Sequence, residues 1–416
     1  SLILLVAVAA VGFGPSVGVD ERVVAAAHPR VAAVAQSQWQ DVLRNLRNPN
    51  AEARLSAVQK LGEAGYEPAA EPISALLIDP DDRVQMAALD AELSFFLTER
   101  IGGMRVLGIG SSKSRAQEAF DRGPLVRVAT PAPGVLIDRL ITAMRDETPR
   151  IRFDAVHALG FIAEAPLPAV QARALAEELD HYDPLIRAAT ARVIGRLRAR
   201  EGTDKLVIAM GDSSELVRYY AIESLGLVRD DRALPPLRDA VARGKGAASA
   251  AALLSLARIG SAYDRSLFRE RLTDRNAGVR RAAAEGLGRL RDMESKETLE
   301  RLLKADPSND VRLAAAFGLQ MLGETQSHVI ASMMVLKAQS DQARDYLLGL
   351  GRDAAPGIEA VLKVATDAQH RADLLQTLGY VGSAEAVAVI EPFQKDKDER
   401  VRRAALNAVA RLKRAV

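Results

Sequence analysis

The sequence predicts an all-α chain wound as an α-α superhelix of about eleven helical hairpins, and three observations carry that expectation. A pattern read most clearly in Asp274 to Leu290, DRNAGVRRAAAEGLGRL, recurs along nearly the whole chain. Aligned on one arginine, its copies fall at Arg54, Arg152, Arg187, Arg218, Arg280, Arg312, Arg344, Arg371 and Arg402, mostly about 31–35 residues or a multiple apart, a period in the range of helical solenoids. Aromatic residues make up only 4% of a chain that is 48% hydrophobic, so Ala, Leu and Val must fill the core, as helix-on-helix packing allows.

Each copy reads as one helix. Counting the residue before the arginine as position 0, positions 0, +4 and +8 lie within about 80° of one another at 100° per residue and form one buried stripe. Position 0 is Ile151, Ile186, Val217, Val279, Val311 or Val401; position +4 is small, as in Ala155, Thr190, Ala221, Ala283, Ala315 and Ala405; position +8 is large, as in Leu61, Leu159, Ile194, Leu225, Leu287 and Leu319. Small residues in mid-stripe let a neighbouring helix approach. Six positions before the arginine stands Asn48, Asp146, Asp212, Asp274, Asp306 or Asp396, a residue type suited to a helix N-cap, the loss of which costs about 0.5–2 kcal/mol. Gly62, Gly160, Gly195, Gly226, Gly288 and Gly379 follow the stripe where a left-handed residue would close the helix. A second apolar-periodic segment, such as Ala233 to Val241 or Lys296 to Leu303, completes a hairpin that must stack on copies of itself to bury its face.

The acid, the arginine six residues later and the Ala-Leu-Gly ending resemble HEAT repeats, most of all the short bacterial variety named after phycobilisome lyases, over roughly residues 40 to 416. The resemblance implies that the capped helix lines the concave side of a superhelix and that acids and arginines form a ladder between units. The matching positions are Asp146 and Arg152, Asp212 and Arg218, Asp274 and Arg280, Asp306 and Arg312, and Asp396 and Arg402. It is specific for fold and says little about activity, because the family spans scaffolds, chaperone-like subunits and a few enzymes.

Along the chain, residues 1–35 are expected to be a signal peptide or an N-terminal membrane anchor. The uncharged run Leu2 to Val11 has the length of a signal-peptide apolar region, and Gly12, Gly14 and Pro15 break it. Residues 36–98 hold repeats one and two, with Trp39 read as a cap over the open end of the core and Gln85 replacing the arginine of repeat two. Residues 99–134 are an irregular Gly- and Pro-rich insertion with a short helical piece around Ser114 to Phe120; insertions in solenoids emerge at turns and often carry binding. Its Gly108 to Ser114 stretch lacks the glycine spacing of a phosphate-cradling loop and reads instead as a solvated loop or partner-contact arm. Residues 135–416 hold repeats three to eleven. His181 replaces the acid of repeat four, and Gly246 and Ala252 replace the acid and the arginine of repeat six. Helices packed 8–10 Å apart would then make a curved rod on the order of 100 Å long.

A net charge of only +2, with 56 basic and 54 acidic residues interspersed, argues against nucleic acid as a partner. Cysteine is absent and the five histidines stand singly, so no cofactor and no metal site is expected. None of those histidines is followed by Glu, which sets the chain apart from the di-iron hydroxylases among HEAT proteins; the near-neutral charge and single Trp39 set it apart from the HEAT-like DNA glycosylases. Positions +2 and +6 lie opposite the stripe and, under the family's orientation, line the groove; Phe153, His157, Arg192, Tyr219 and Glu223 form its richest stretch, with a mixed solvent face as the plain alternative. The expected function is a non-enzymatic scaffold of the bacterial cell envelope, periplasmic or envelope-associated, that binds another protein and meets the membrane only through residues 1–19 if these stay uncleaved. The alternative, from resemblance alone, is a chromophore-lyase-like subunit or chaperone assisting pigment attachment to a partner.

Overall fold

The computed structural model describes residues 39–97, 113–127, 131–244 and 246–414, so the apolar N-terminal segment and the Gly108 to Ser112 part of the insertion lie outside the described residues. Among the described residues there is no sheet; one isolated antiparallel bridge joins Leu97 to Arg127. Eleven longer helices carry the repeat pattern: α1 (Ala51–Ala64), α2 (Asp82–Phe96), then, beyond the insertion's own helix α3 (Arg115–Arg122), α4 (Pro149–Ile162), α5 (Pro184–Arg196), α6 (Glu215–Val228), α7 (Gly246–Ile259), α8 (Ala277–Arg289), α9 (Asn309–Met321), α10 (Ser340–Leu350), α11 (Ala368–Val381) and α12 (Glu399–Arg414). Between them run shorter helices such as Gly134–Ala143, Leu234–Arg243 and Lys296–Ala305, which form the second layer. Positions 0, +4 and +8 sit in one continuous core from Leu46 to Leu412. At the N-terminal end Trp39 stacks on Tyr66, with ring centroids 5.0 Å apart.

Two local expectations are corrected. The acid six residues before the arginine is not the N-cap. Asp212 accepts the backbone N–H of Ser214 at 2.8 Å, and Asp146, Asp274, Asp306 and Asp396 do the same for Thr148, Asn276, Ser308 and Asp398. The cap is the residue two further on, for example Asn276, which receives N–H bonds from Gly278 and Val279. The acid thus closes a turn ahead of the helix and keeps its second oxygen for another repeat. The recurring glycines do not end helices either. Gly62, Gly160, Gly195, Gly226, Gly288 and Gly379 are interior, and the left-handed residues come three positions later at Gly65, Arg198, Arg229 and Arg291. Their lack of a side chain serves contact with the next repeat: a Cβ on Gly288 would lie 2.4 Å from the Gly318 Cα, and one on Gly195 2.9 Å from the Ser224 Cα.

Such close approach draws the inner helices together more than the outer ones, so the stack coils tightly. The curved rod expected from the sequence winds until its last repeat reaches the insertion. Tyr346 of α10 donates to Glu285 of α8 at 2.8 Å, across the intervening α9, and Arg411 of the last repeat donates to the Arg127 carbonyl of the insertion at 2.7 Å. Side chains of distant inner helices therefore meet near the superhelix axis.

Candidate protein-binding groove

The ladder runs from the arginine of one repeat to the acid of the next. Arg54 grips Asp79 at 2.7 Å through Nε and Nη2, Arg187 grips Asp212 at 2.8 Å, Arg280 grips Asp306 at 2.8 and 2.9 Å, and Arg371 reaches Asp396 at 2.9 Å. In each of the first three, Nη1 also donates to the two carbonyls that open its own turn. Where the sequence departs from the pattern, the pairing changes with it. Gln85 replaces an arginine and donates to Asp146 at 2.9 Å; Arg152, facing His181 instead of an acid, donates to the Tyr182 hydroxyl at 2.7 Å. Arg218, Arg312 and Arg402 donate to the carbonyls of Asp212, Asp306 and Asp396 in their own turns, and Asp274 lies 3.6 Å from Arg271. A second ladder on the outer layer, Arg238 to Asp264 and Arg269 to Asp292, was not visible in the pattern because its arginines lie outside the aligned helix.

The groove residues are split by the insertion. Helix α3, capped by Ser114, packs on α4 and touches α2, where Arg115 donates to the Asp90 carbonyl at 3.1 Å, and the Arg192 and Arg196 side chains of α5 reach it from the other side. Its apolar face is Ala116, Ala119 and Phe120 at i, i+3 and i+4, a spacing that marks one side of a helix. The Phe120 ring, 1% exposed, enters a trough whose floor is Gly160, where a Cβ would stand 2.5 Å from that ring. His157 meets it edge-on at 5.4 Å, and the guanidinium groups of Arg192 and Arg196 lie 4.8 and 3.9 Å from its centroid. Arg196 also donates to the Phe120 carbonyl. Beside it Asp121 is held by Arg192 and Lys113, both at 2.7 Å. Burial raises the Asp121 carboxyl, but the hydrogen bonds from Lys113 and Arg192 outweigh it and hold the group below the ordinary carboxylate range. Burying one phenyl side chain contributes about 1.5–3 kcal/mol, more than the partly exposed Asp121 pair at about 0–1 kcal/mol, so Phe120 is the anchor.

Of the five groove residues, His157 is 1% exposed and Phe153 and Arg192 are half-buried beneath or beside α3, whereas Tyr219 is 46% exposed and Glu223 is half-buried. His157 therefore lies inside the fold, not on an open face. Its Nδ1 is 2.8 Å from the Phe153 carbonyl, which can only accept, so Nδ1 carries the proton. Burial pushes this imidazole down to about 4, leaving it neutral near pH 7. Arg196 is lowered to about 10 by burial and by Arg192. Tyr219 packs against Tyr220 at 5.4 Å, Arg192 covers the Tyr220 ring at 5.0 Å, and Glu223 sits 3.8 Å from Arg258. Sequence reasoning missed Phe120, Asp121 and Arg196; the Ala-x-x-Ala-Phe spacing was the signal available for the first. Leu216 and Tyr219 share one face of α6, and like Leu185 and Tyr182 of the preceding repeat they are exposed.

At the far end of α3 a cleft of about 430 Å³ opens against α10, α11 and α12, lined among others by Arg122, Arg344, Asp373 and Arg403. Among the described residues no group of three or more His, Cys, Asp or Glu is placed to hold a metal ion, and no helix is long and apolar enough to cross a membrane.

No curated protein matches the chain. Similar solved structures include an engineered protein at 17% identity, covering 90% of this chain and 98% of that one with a TM-score of 0.39. The complex of CpcE and CpcF of phycocyanin lyase from Nostoc matches at 20% identity, covering 68% and 97% with a TM-score of 0.40. Human deoxyhypusine hydroxylase in complex with glycerol matches at 17% identity, covering 67% and 96% with a TM-score of 0.28. A family model described as HEAT repeats matches residues 172–257, 245–320 and 355–415, about half of the chain, including the Arg187–Asp212, Arg280–Asp306 and Arg371–Asp396 pairs of the ladder. With that match laid on paired helices, an inter-repeat arginine ladder and close-packed glycines, the chain belongs to the HEAT-repeat family.

Proposed function

We propose that this chain is a non-enzymatic scaffold of the bacterial cell envelope that binds another protein through the groove rim of repeats four and five. HEAT repeats imply a protein-interaction scaffold, and HEAT-repeat proteins bind other proteins. The observation that carries the siting is the set of Tyr182, Leu185, Leu216 and Tyr219, large side chains in adjacent repeats that each keep a large part of their surface exposed. The apolar run Leu2 to Val11 supports export, and the interspersed charge supports a protein rather than a nucleic acid as partner.

The test is proximity cross-linking in the native host with wild type and with a Leu185→Glu, Tyr219→Glu variant, followed by cell fractionation. One envelope protein should be cross-linked by wild type and lost in the variant. Equal cross-linking by both removes the rim site, and recovery of the chain in the cytoplasm alone removes the location.

A further inference from the structure

Helix α3 is an addition to the repeat pattern, and α2 and α4 are also joined directly. At their turn ends Gln85 of α2 donates to Asp146 at 2.9 Å, and Thr148 donates to Asp82 at 2.6 Å. Three of the eight residues of α3 are buried, Ala116, Ala119 and Phe120, and Phe120 is the largest of them. What it inserts is a Phe-Asp pair, and the site that receives the pair is built for it. Gly160 provides the depth, His157 the edge contact, and two arginines cover the ring. Arg192 serves both residues of the pair, lying over the Phe120 ring while its Nη2 binds Asp121. An aromatic ring against guanidinium groups, with a carboxylate one residue later on the same cation, is a recognition pattern that depends on side-chain type and not on chain connectivity.

We propose that this trough is a peptide-recognition site, that α3 is its resident occupant, and that a partner displaces α3 with a short helical segment carrying an aromatic residue directly followed by an acidic one. The inference rests on the protein-binding reading above and names the chemistry of the partner. Charge complementarity selects the acid, since Arg192 and Arg196 both face the trough while Lys113 leaves with α3. A segment of the same chain competes at high effective concentration, so a free peptide binds wild type weakly and binds tightly only once α3 is loosened.

A fluorescent peptide of residues 113–127 tests the exchange by anisotropy against the full chain. Two variants loosen α3 by different means: Phe120→Ala empties the trough, and Asp121→Lys leaves the ring in place but sets a third cation against Lys113 and Arg192. Each should bind the peptide at least tenfold more tightly than wild type. A peptide with its Phe-Asp pair replaced by Ala-Ala, or a chain also carrying Arg192→Glu, should lose that gain. Should Phe120→Ala fail to fold, Asp121→Lys alone decides. No tighter binding by a variant whose helical circular dichroism matches wild type overturns the exchange, as does equal binding of the Ala-Ala peptide. Loss of the cross-linked protein in the rim variant, with no exchange, leaves the scaffold reading standing and α3 a fixed part of it. Exchange with unchanged cross-linking removes the rim site instead.

Discussion

Arg187 closes a two-pronged ion pair on Asp212 of the following repeat, with both contacts at 2.8 Å, while its third nitrogen donates to the His181 and Tyr182 carbonyls. One side chain thereby fixes its own turn and the spacing to the next unit. The geometry uses the planar fork of guanidinium, which an ammonium cannot reproduce.

Removing that fork should weaken the stack locally. Arg187→Ala leaves Asp212 without its cation and is expected to cost about 2–3 kcal/mol. Arg218→Ala gives up bonds to carbonyls of its own turn but no acid of the next repeat, where Gly246 stands, and should cost about 1 kcal/mol. Urea midpoints, compared at unchanged slope, measure the difference. Equal losses would mean that the ladder adds nothing beyond the turn.

Gly288 and Gly349 both lie in inner helices but should answer substitution with opposite signs. A Cβ on Gly288 meets the Gly318 backbone at 2.4 Å, so Gly288→Ala should cost about 1–3 kcal/mol despite alanine's better helix propensity. A Cβ on Gly349 meets nothing within 4 Å, so Gly349→Ala should stabilise by about 0.5–1 kcal/mol. Thermal unfolding midpoints that move the same way for both would refute close packing as the reason for Gly288.

The repeat, its core positions and the gaps in its ladder were legible because each is local. Val217, Ala221 and Leu225 mark a buried stripe by spacing alone, and Gln85, His181, Gly246 and Ala252 announce where the pairing must change. The capping role given to Asp212 and the helix-ending role given to Gly288 were misread because one residue type serves two ends. An aspartate before a helix can cap it or close the turn ahead, and a glycine late in a helix can end it or admit a neighbour. Only the position of the next repeat separates the two. The burial of His157 was out of reach for the same reason: Asp121 and Arg192 are 71 residues apart, and no periodicity links an insertion to the face on which it lies.

Acid should loosen the trough through His157. Burial holds its imidazole at about 4 in the folded chain, against the usual 6.5, so between those values the unfolded chain binds more protons. Its contribution is complete above pH 6.5 and is lost as pH falls toward 4. The groups facing it divide: Arg192 and Arg196 oppose its protonation, while Asp121 favours it. Asp90 and Asp154, raised by burial, move stability the other way over part of that range, so the comparison must be with a variant and not with wild type alone. Between pH 7.5 and pH 5, wild type should lose about 2 kcal/mol more than His157→Gln in urea unfolding. Parallel losses would show that His157 is already protonated in the fold, or that it stays accessible.

The contact between Tyr346 and Glu285 should set how tightly the C-terminal repeats coil. Glu285 is buried and accepts from Arg289 at 2.9 Å through one oxygen and from the Tyr346 hydroxyl at 2.8 Å through the other. The Tyr346 ring stacks on Phe317 at 4.3 Å, which Arg289 covers from 5.0 Å. Tyr346→Phe preserves the stacking and removes only the hydroxyl, leaving a buried carboxylate oxygen without that donor, an expected loss of about 1–3 kcal/mol. Because the bond spans from α8 to α10 over α9, the loss should be felt as easier opening of α10, not as global unfolding. Amide hydrogen exchange should quicken across 340–350 while 215–228 stays protected. If protection is unchanged in both, the coil is held by apolar packing alone, and the cross-axis bond merely occupies space that packing has already fixed.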